Sequence, residues 1–314
     1  MLLLVATTIL TVSDTTGIIS KPDQWLKYHH APEAIIAAVF FLSGLALNLR
    51  QIRTGISDVK ATVIALIITF FAAPLLALLF GNLPIQAGLI VGLYLVAAVP
   101  PTLSSGVVMT GAAGGNMAHA LITTILANCL AVVTVPFTLG ILLKYTGNQL
   151  GVELDIAPVI AQVATLILLP LLAGLFTGNR SWRVIQKIKP YSSILSQSGI
   201  VAIVWMGVSK GRETIVSDLD ALFPVILMVF CFHLFLVAVA VIMAHLFGLG
   251  SGRKESVIFI GGQKTLALSV ILQVSLFPEY GLALVVCIMH HLIHLIMDSF
   301  LVQFFRSRSA GRKK

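Results

Sequence analysis

The run 256–277, SVIFIGGQKTLALSVILQVSLF, decides the fold. It is long enough to cross a bilayer, which takes ~20 apolar residues as a helix. Yet two glycines, a glutamine and a lysine stand near its centre. A lysine at mid-bilayer costs ~3 kcal/mol on insertion scales, and at that depth its side chain is too short to reach the interface. Lys264 must therefore face the protein interior or a cavity and meet something negative or dipolar. The end carbonyls of a half-helix, a carboxylate or an anionic substrate would serve.

The rest of the chain supports a membrane reading. Of its 314 residues, 58% are aliphatic, aromatic or cysteine and only 10% are charged, with a mean hydropathy of +1.02. A soluble domain carries far more surface charge. The net charge of +8 sits in loops and the tail rather than in a basic, aromatic-studded domain, which argues against nucleic acid as a partner. Cys129, Cys231 and Cys287 all lie within apolar runs and form no disulfide framework.

Apolar spans run at about 1–14, 34–49, 61–81, 85–114, 116–143, 156–177, 192–209, 221–248, 254–277 and 279–305. The first is short and lacks the basic flank of a secretory signal. It reads as a trimmed first span, with an interfacial stub or an unusual leader as the alternatives. A shift of about 161 residues lays 34–49 on 195–210, 61–81 on 222–242 and 118–143 on 279–304. Five spans is an odd number, so a second copy would enter the membrane upside down, a plan common among secondary transporters. The expected units are 1–147, 156–306 and a basic cytoplasmic tail at 307–314. In a ten-span topology fourteen of the twenty basic residues share one side and five (Lys21, Lys27, Lys144, Lys210, Arg212) the other. The positive-inside rule then puts both termini in the cytoplasm of a multi-pass plasma-membrane protein. The twentieth is Lys264.

A second interrupted span, LVAAVPPTLSSGVVMTGAAGGN (95–116), carries Pro100 and Pro101, which remove two backbone donors. Pro101 and Gly262 are again 161 residues apart. Interruptions at matching positions of two halves point to a transporter's binding site, and broken backbone survives at that depth only against protein or a wet cavity. A kink or close helix packing is the plain alternative for each break alone. New half-helix N-termini are expected at Ser104 and Thr265, offering positive dipole ends to an anion. Thr102, Ser104, Ser105, Asn116, Thr124, Asn128, Gln263, Lys264 and Thr265 are the candidate substrate- and ion-binding residues. Thr123, Thr124 and Asn128 share a helical face, with back-bonding to their own helix as the alternative.

Span ten, CIMHHLIHLIMDSF (287–300), places His290, His294 and Asp298 at i, i+4 and i+8 on one face, with His291 beside them. These four are a candidate proton relay. HxxxH with an aspartate could also hold zinc, which needs a further ligand from elsewhere, or the histidines simply bond between packed helices. His119, His233 and His245 look isolated and read as packing or interfacial residues.

Three stretches, FFLSGLALNL (40–49), VPPTLSSGVVMTGAAGGNMAHALITTILANCLAVVTVP (99–136) and GGQKTLALSVIL (261–272), resemble the bile acid:sodium symporter family, most closely its divergent SBF-like branch. The resemblance covers nearly the whole chain after about residue 30. It implies an all-α, ten-helix membrane fold of two inverted five-helix repeats. It also implies a core in which the fourth and ninth helices break and cross, and a smaller panel that moves against it. By the resemblance, the Ser-Asn pair of one sodium site in the sodium-coupled branch falls on Ser104–Ser105 or Ser105–Gly106, without its asparagine. A serine and a threonine of helix five fall on Ala120 and Thr124. The ninth-helix glutamate falls on Phe259, the glutamine after it matches Gln263, and the helix-three glutamine falls near Thr69. With the anionic ligand gone and a cation close by, Lys264 is expected to replace a bound sodium. The reading is thus a secondary transporter, not an enzyme, that moves a small anionic organic solute by alternating access, with Na+ or H+ as coupling ion and no other cofactor. Its alternatives are an intramembrane metal-dependent hydrolase built on His290, His294 and Asp298, and a non-transporting regulator of ion homeostasis.

Overall fold

The computed structural model describes residues 2–14, 18, 30–47, 58–145, 154–180, 182–217 and 222–311. These residues are overwhelmingly helical. The elements are α1 Leu2–Val12, α2 Ala31–Ala46, α3 Val59–Gly81, α4 Ala87–Ala98, α5 Ser105–Ala112, α6 Met117–Tyr145 and α7 Ile156–Gly178. They continue with α8 Arg183–Ile188, α9 Ser192–Ser217, α10 Leu222–Leu246, α11 Arg253–Gly262, α12 Leu266–Leu276 and α13 Gly281–Gly311. Among the described residues, seven helical segments are long and apolar enough to cross a membrane, α8 with α9 and α11 with α12 each counting as one; α2 and α4 are shorter apolar helices. Large apolar side chains such as Phe71, Leu75, Phe223, Leu227 and Phe300 are exposed. That outward apolar surface suits lipid as the solvent. Arg50, Arg53, Lys21 and Lys27, used in the charge count, lie outside the described residues, as does the end of the tail.

The helices sort into two packed groups. In one, α2 lies between α7 and α9, and α1 runs along α9, with the Arg212 Nε–H donating to the Val12 carbonyl at 3.2 Å. Close approach here depends on small residues. A Cβ on Gly174 would fall 2.0 Å from the Phe41 carbonyl oxygen, and one on Gly178 2.7 Å from that of Leu45. These glycines form a GxxxG pair, the spacing that lets membrane helices touch backbone to backbone. In the other group α4 packs on α13, α10 on α11 and α13, and α11 on α3 and α5. The segment α11–α12 is the centre of the molecule, with 94% of its apolar window buried.

Two spans break, one where prolines remove donors and one after a pair of glycines. Between α4 and α5 the chain is non-helical from Val99 to Ser104, because Pro100 and Pro101 cannot donate to Val96 and Ala97. Between α11 and α12 it is extended at Gln263 and Thr265, with Gly261 and Gly262 forming the last helical residues of α11. Ser104 and Thr265 are the N-caps of the two second halves. A subtler break lies in α3, where residues Ile68–Ala72 form a π turn and the Ala73 N–H bonds the Ile68 carbonyl. The α partner of the Thr69 carbonyl is thus taken, and the next donor in line is missing because residue 74 is proline. The same T-x4-P pattern recurs in α7, with a π turn at Ala164–Leu168 before Pro170.

Candidate functional site

The two breaks cross, and Lys264 lies between them. Its ammonium is buried and donates to three main-chain carbonyls: Thr69 at 2.7 Å, Ala97 at 3.0 Å and Val99 at 3.1 Å. Each of these oxygens is free for a stated reason. Thr69 is stranded by the π turn and Pro74, and Ala97 by Pro101. Val99 has left the helix with ψ near 154°. Two of them close the C-terminal end of α4, where the helix dipole is negative and a cation is stabilised. All three donors of the ammonium are used. The breaks also join directly, the Thr265 N–H donating to the Pro100 carbonyl at 2.9 Å.

Gln263 makes the second junction. Its Oε1 accepts from Thr102 Oγ1 at 2.7 Å and Ser105 Oγ at 3.0 Å. Its Nε2 donates to Asp298 Oδ2 at 2.7 Å and faces Met109 Sδ at 3.2 Å. Gly106 admits this side chain: a Cβ there would lie 2.8 Å from Ile260 Cδ1 and 3.1 Å from Gln263 Oε1. Asn128 Nδ2 donates to the Thr124 carbonyl at 2.9 Å and to the Pro101 carbonyl at 3.3 Å, tying α6 to the first break. Two buried oxygens, Thr69 Oγ1 and Asn128 Oδ1, have no partner.

Most of the residues expected at the site gather here, with two exceptions. Asn116 is exposed and accepts the His119 N–H at 3.1 Å as the cap of α6, away from the crossing. The GGN before an apolar run is a cap signature. Thr124 is buried, but its hydroxyl back-bonds to Ala120 at 2.8 Å. Ser104 lines a cleft of about 180 Å3 together with Ser43, Ser193, Ser196, Leu103 and Val107, between the two helix groups. Across the molecule, Pro32, Ile36, Ile203, Met206, Val270 and Val274 enclose an apolar gap of only about 20 Å3.

Sequence reasoning missed His233. It is not isolated: its Nε2 lies 3.1 Å from Asp298 Oδ1, and both side chains are fully enclosed. Its ring centroid is 5.7 Å from those of both His290 and His294, and His291 lies 4.8 Å from His294. His119 is not isolated either, with Nδ1 2.6 Å from Ser256 Oγ and Nε2 3.1 Å from Thr62 Oγ1. Where α3 and α11 begin, Arg253 holds the Asp58 carboxylate through two donors, one from Nη2 at 2.7 Å to Oδ1 and one from Nε to Oδ2. Burial pushes the Asp58 carboxyl up. The Arg253 hydrogen bond, the Ala61 N–H and the guanidinium charge outweigh it and hold the group below its ordinary value.

Helices of this apolarity, broken and crossing around a buried lysine beside a cleft between two helix groups, have the form of a membrane transporter rather than an enzyme. The sequence model of the SBF-like CPA transporter family matches residues 1–307, and the chain belongs to that family. The chain is 28% identical over 288 residues to "Probable sodium/metabolite cotransporter BASS4, chloroplastic" of Oryza sativa subsp. indica, covering 86% of this chain and 67% of that one. It is 29% identical over 287 residues to the protein of the same name from Arabidopsis thaliana, covering 86% and 65%. To "Sodium/bile acid cotransporter 7" of Mus musculus it is 25% identical over 310 residues, covering 94% and 87%. Membership in a transporter family leaves the hydrolase reading of α13 without support. Among the described residues no three His, Cys, Asp or Glu side chains gather as a metal site.

Proposed function

We propose that this chain is a secondary active transporter of a small anionic organic solute, working by alternating access about the crossing of its two broken spans. The observation that carries the reading is the Lys264 ammonium held by three orphaned carbonyls. A sodium ion could be coordinated by the same kind of oxygens, and Lys264 takes its place as a tethered cation. The named relatives are sodium cotransporters by their printed names, whereas here the phenylalanine at 259 offers no anionic ligand. Coupling passes to Na+ or H+ elsewhere in the core.

Two inverted five-helix repeats account for the packing. Under the 161-residue shift, Thr102 falls on Gln263, and these two side chains bond each other across the crossing. In this reading α1, α2, α7 and α9 form the panel and the remaining spans the core. The serine-lined cleft opens on the side of Arg180, Arg183 and Arg253, the cytoplasmic side of a plasma-membrane protein with both termini inside. The tight apolar gap lies toward the other end of α2, and in this reading it is the closed, outward side. The positive end of α5 at Ser104 meets the cleft, which suits an anion.

The test is uptake of a panel of radiolabelled organic anions into proteoliposomes. Wild-type protein is expected to accumulate at least one of them, and Lys264→Met, inserted equally well, to lose at least 90% of that uptake. Undiminished uptake by the variant overturns the proposal.

A further inference from the structure

A buried acid–base pair lies one hydrogen bond from the crossing and has no part in the cage around Lys264. Asp298 Oδ1 meets His233 Nε2 at 3.1 Å, and Asp298 Oδ2 accepts from Gln263 Nε2 at 2.7 Å. His233 Nδ1 is buried and has no partner, and neither ring nitrogen of His294 has one. Buried polar atoms ordinarily find partners, so a run of bare imidazole nitrogens ending on a carboxylate calls for a ligand. The smallest ligand that fits closed, filled space is a proton.

We propose that the Asp298–His233 pair is the coupling-proton site of this transporter, and that Gln263 reports its occupancy to the crossing; this rests on the transport function proposed for the chain. With the site empty, His233 Nε2–H donates to the Asp298 carboxylate. The Gln263 amide then has to present its NH2 to Asp298 and its oxygen to the hydroxyls of Thr102 and Ser105, as observed. An incoming proton reaches Asp298 through His233, whose Nε2 faces Oδ1, and comes to rest on that oxygen, with Nε2 left as its acceptor. Oδ2 still accepts from the Gln263 amide, now as the oxygen of a neutral acid, so a charge-assisted bond becomes a neutral one of roughly half the strength. The loosened amide is the same group whose Oε1 holds the hydroxyls of Thr102 and Ser105. Ser105 adjoins Ser104, which lines the cleft. One proton taken up thus loosens the junction beside the cleft. No charge need cross the cage of Lys264.

The neighbours that bear on this pair can be named. Besides His290, His291 and His294 on α13, the break supplies Lys264. Among the helices packed on α10 and α13, α5 and α12 carry no acidic or basic side chain, and α4 carries only Tyr94 as a titratable group. The charged residues of α11 (Arg253, Lys254, Glu255) sit in its first turn, that of α3 (Lys60) at its start, and those of α9 (Lys210, Arg212, Glu213) near its end.

Infrared difference spectroscopy of the protein in liposomes tests this without any solute. The samples are taken from about pH 8 to about pH 5, the range over which histidine charge ordinarily changes. The expected result is the carbonyl stretch of one protonated carboxylic acid, growing as pH falls and shifting in D2O, with a change in a glutamine amide band alongside. Asp298→Asn, near-isosteric and able to mimic the protonated acid, should abolish the carboxyl band. Gln263→Ala should keep that band and lose the amide change, and Lys264→Met should keep both. A band that survives in Asp298→Asn, or no titrating carboxyl in folded wild-type protein, overturns the proposal. Because the readout needs no transport, a protein that moves none of the tested anions still shows whether Asp298 takes up a proton.

Discussion

Lys264→Met keeps most of the side chain's bulk and removes the donors that the Thr69, Ala97 and Val99 carbonyls share. A buried acceptor left without a partner costs about 1–3 kcal/mol. The variant should therefore melt several degrees below wild type in detergent, read by scanning fluorimetry, besides losing uptake. The Asp58–Arg253 pair carries a pH signature. The Asp58 carboxyl is held below its ordinary value, so its contribution is complete above that value and fades as pH falls through the lowered one. Asp58→Asn should cost stability at neutral pH and leave that loss smaller in acid, measured as melting temperature against pH. At this scale Lys264 was legible in the sequence because a cation amid apolar residues is expensive. His233 was not, because its partner lies 65 residues away and no local spacing links them.

Helices carry the next level of information. The breaks were legible because proline and glycine act on the backbone next to them. What the breaks accept was less so. The Thr69 carbonyl is set free by a register shift inside α3, and the only sequence trace of it is Pro74, five residues on. Pro101→Ala restores a donor for the Ala97 carbonyl and lets α4 wind one residue further, in competition with Lys264. That variant should insert and fold yet lose most uptake in the proteoliposome assay. Gly174→Leu acts on the other helix group, where a Cβ would stand 2.0 Å from the Phe41 oxygen. Forcing α2 and α7 apart should lower stability by roughly 1–3 kcal/mol, seen as earlier unfolding in a detergent melt.

For the whole molecule, alternating access requires the two helix groups to slide past each other. Gln162 Nε2 on α7 donates to Ser275 Oγ on α12 at 2.8 Å, a polar contact between the groups that is partly exposed. Cysteines at 162 and 275, joined by a short bifunctional thiol reagent, should arrest uptake, and a cleavable reagent should restore it on reduction. Uptake that continues in fully crosslinked protein would mean that these groups do not separate there.

The cage around Lys264 also sets an order of events during synthesis. Its carbonyls belong to residues 69–99, and their donor lies 165–195 residues further along the chain. At 5–20 residues per second, the ribosome leaves those oxygens waiting roughly 10–40 s inside the bilayer before the lysine emerges. The first half of this protein is therefore born without the donor for three of its own carbonyls, and its centre closes only when the C-terminal half arrives.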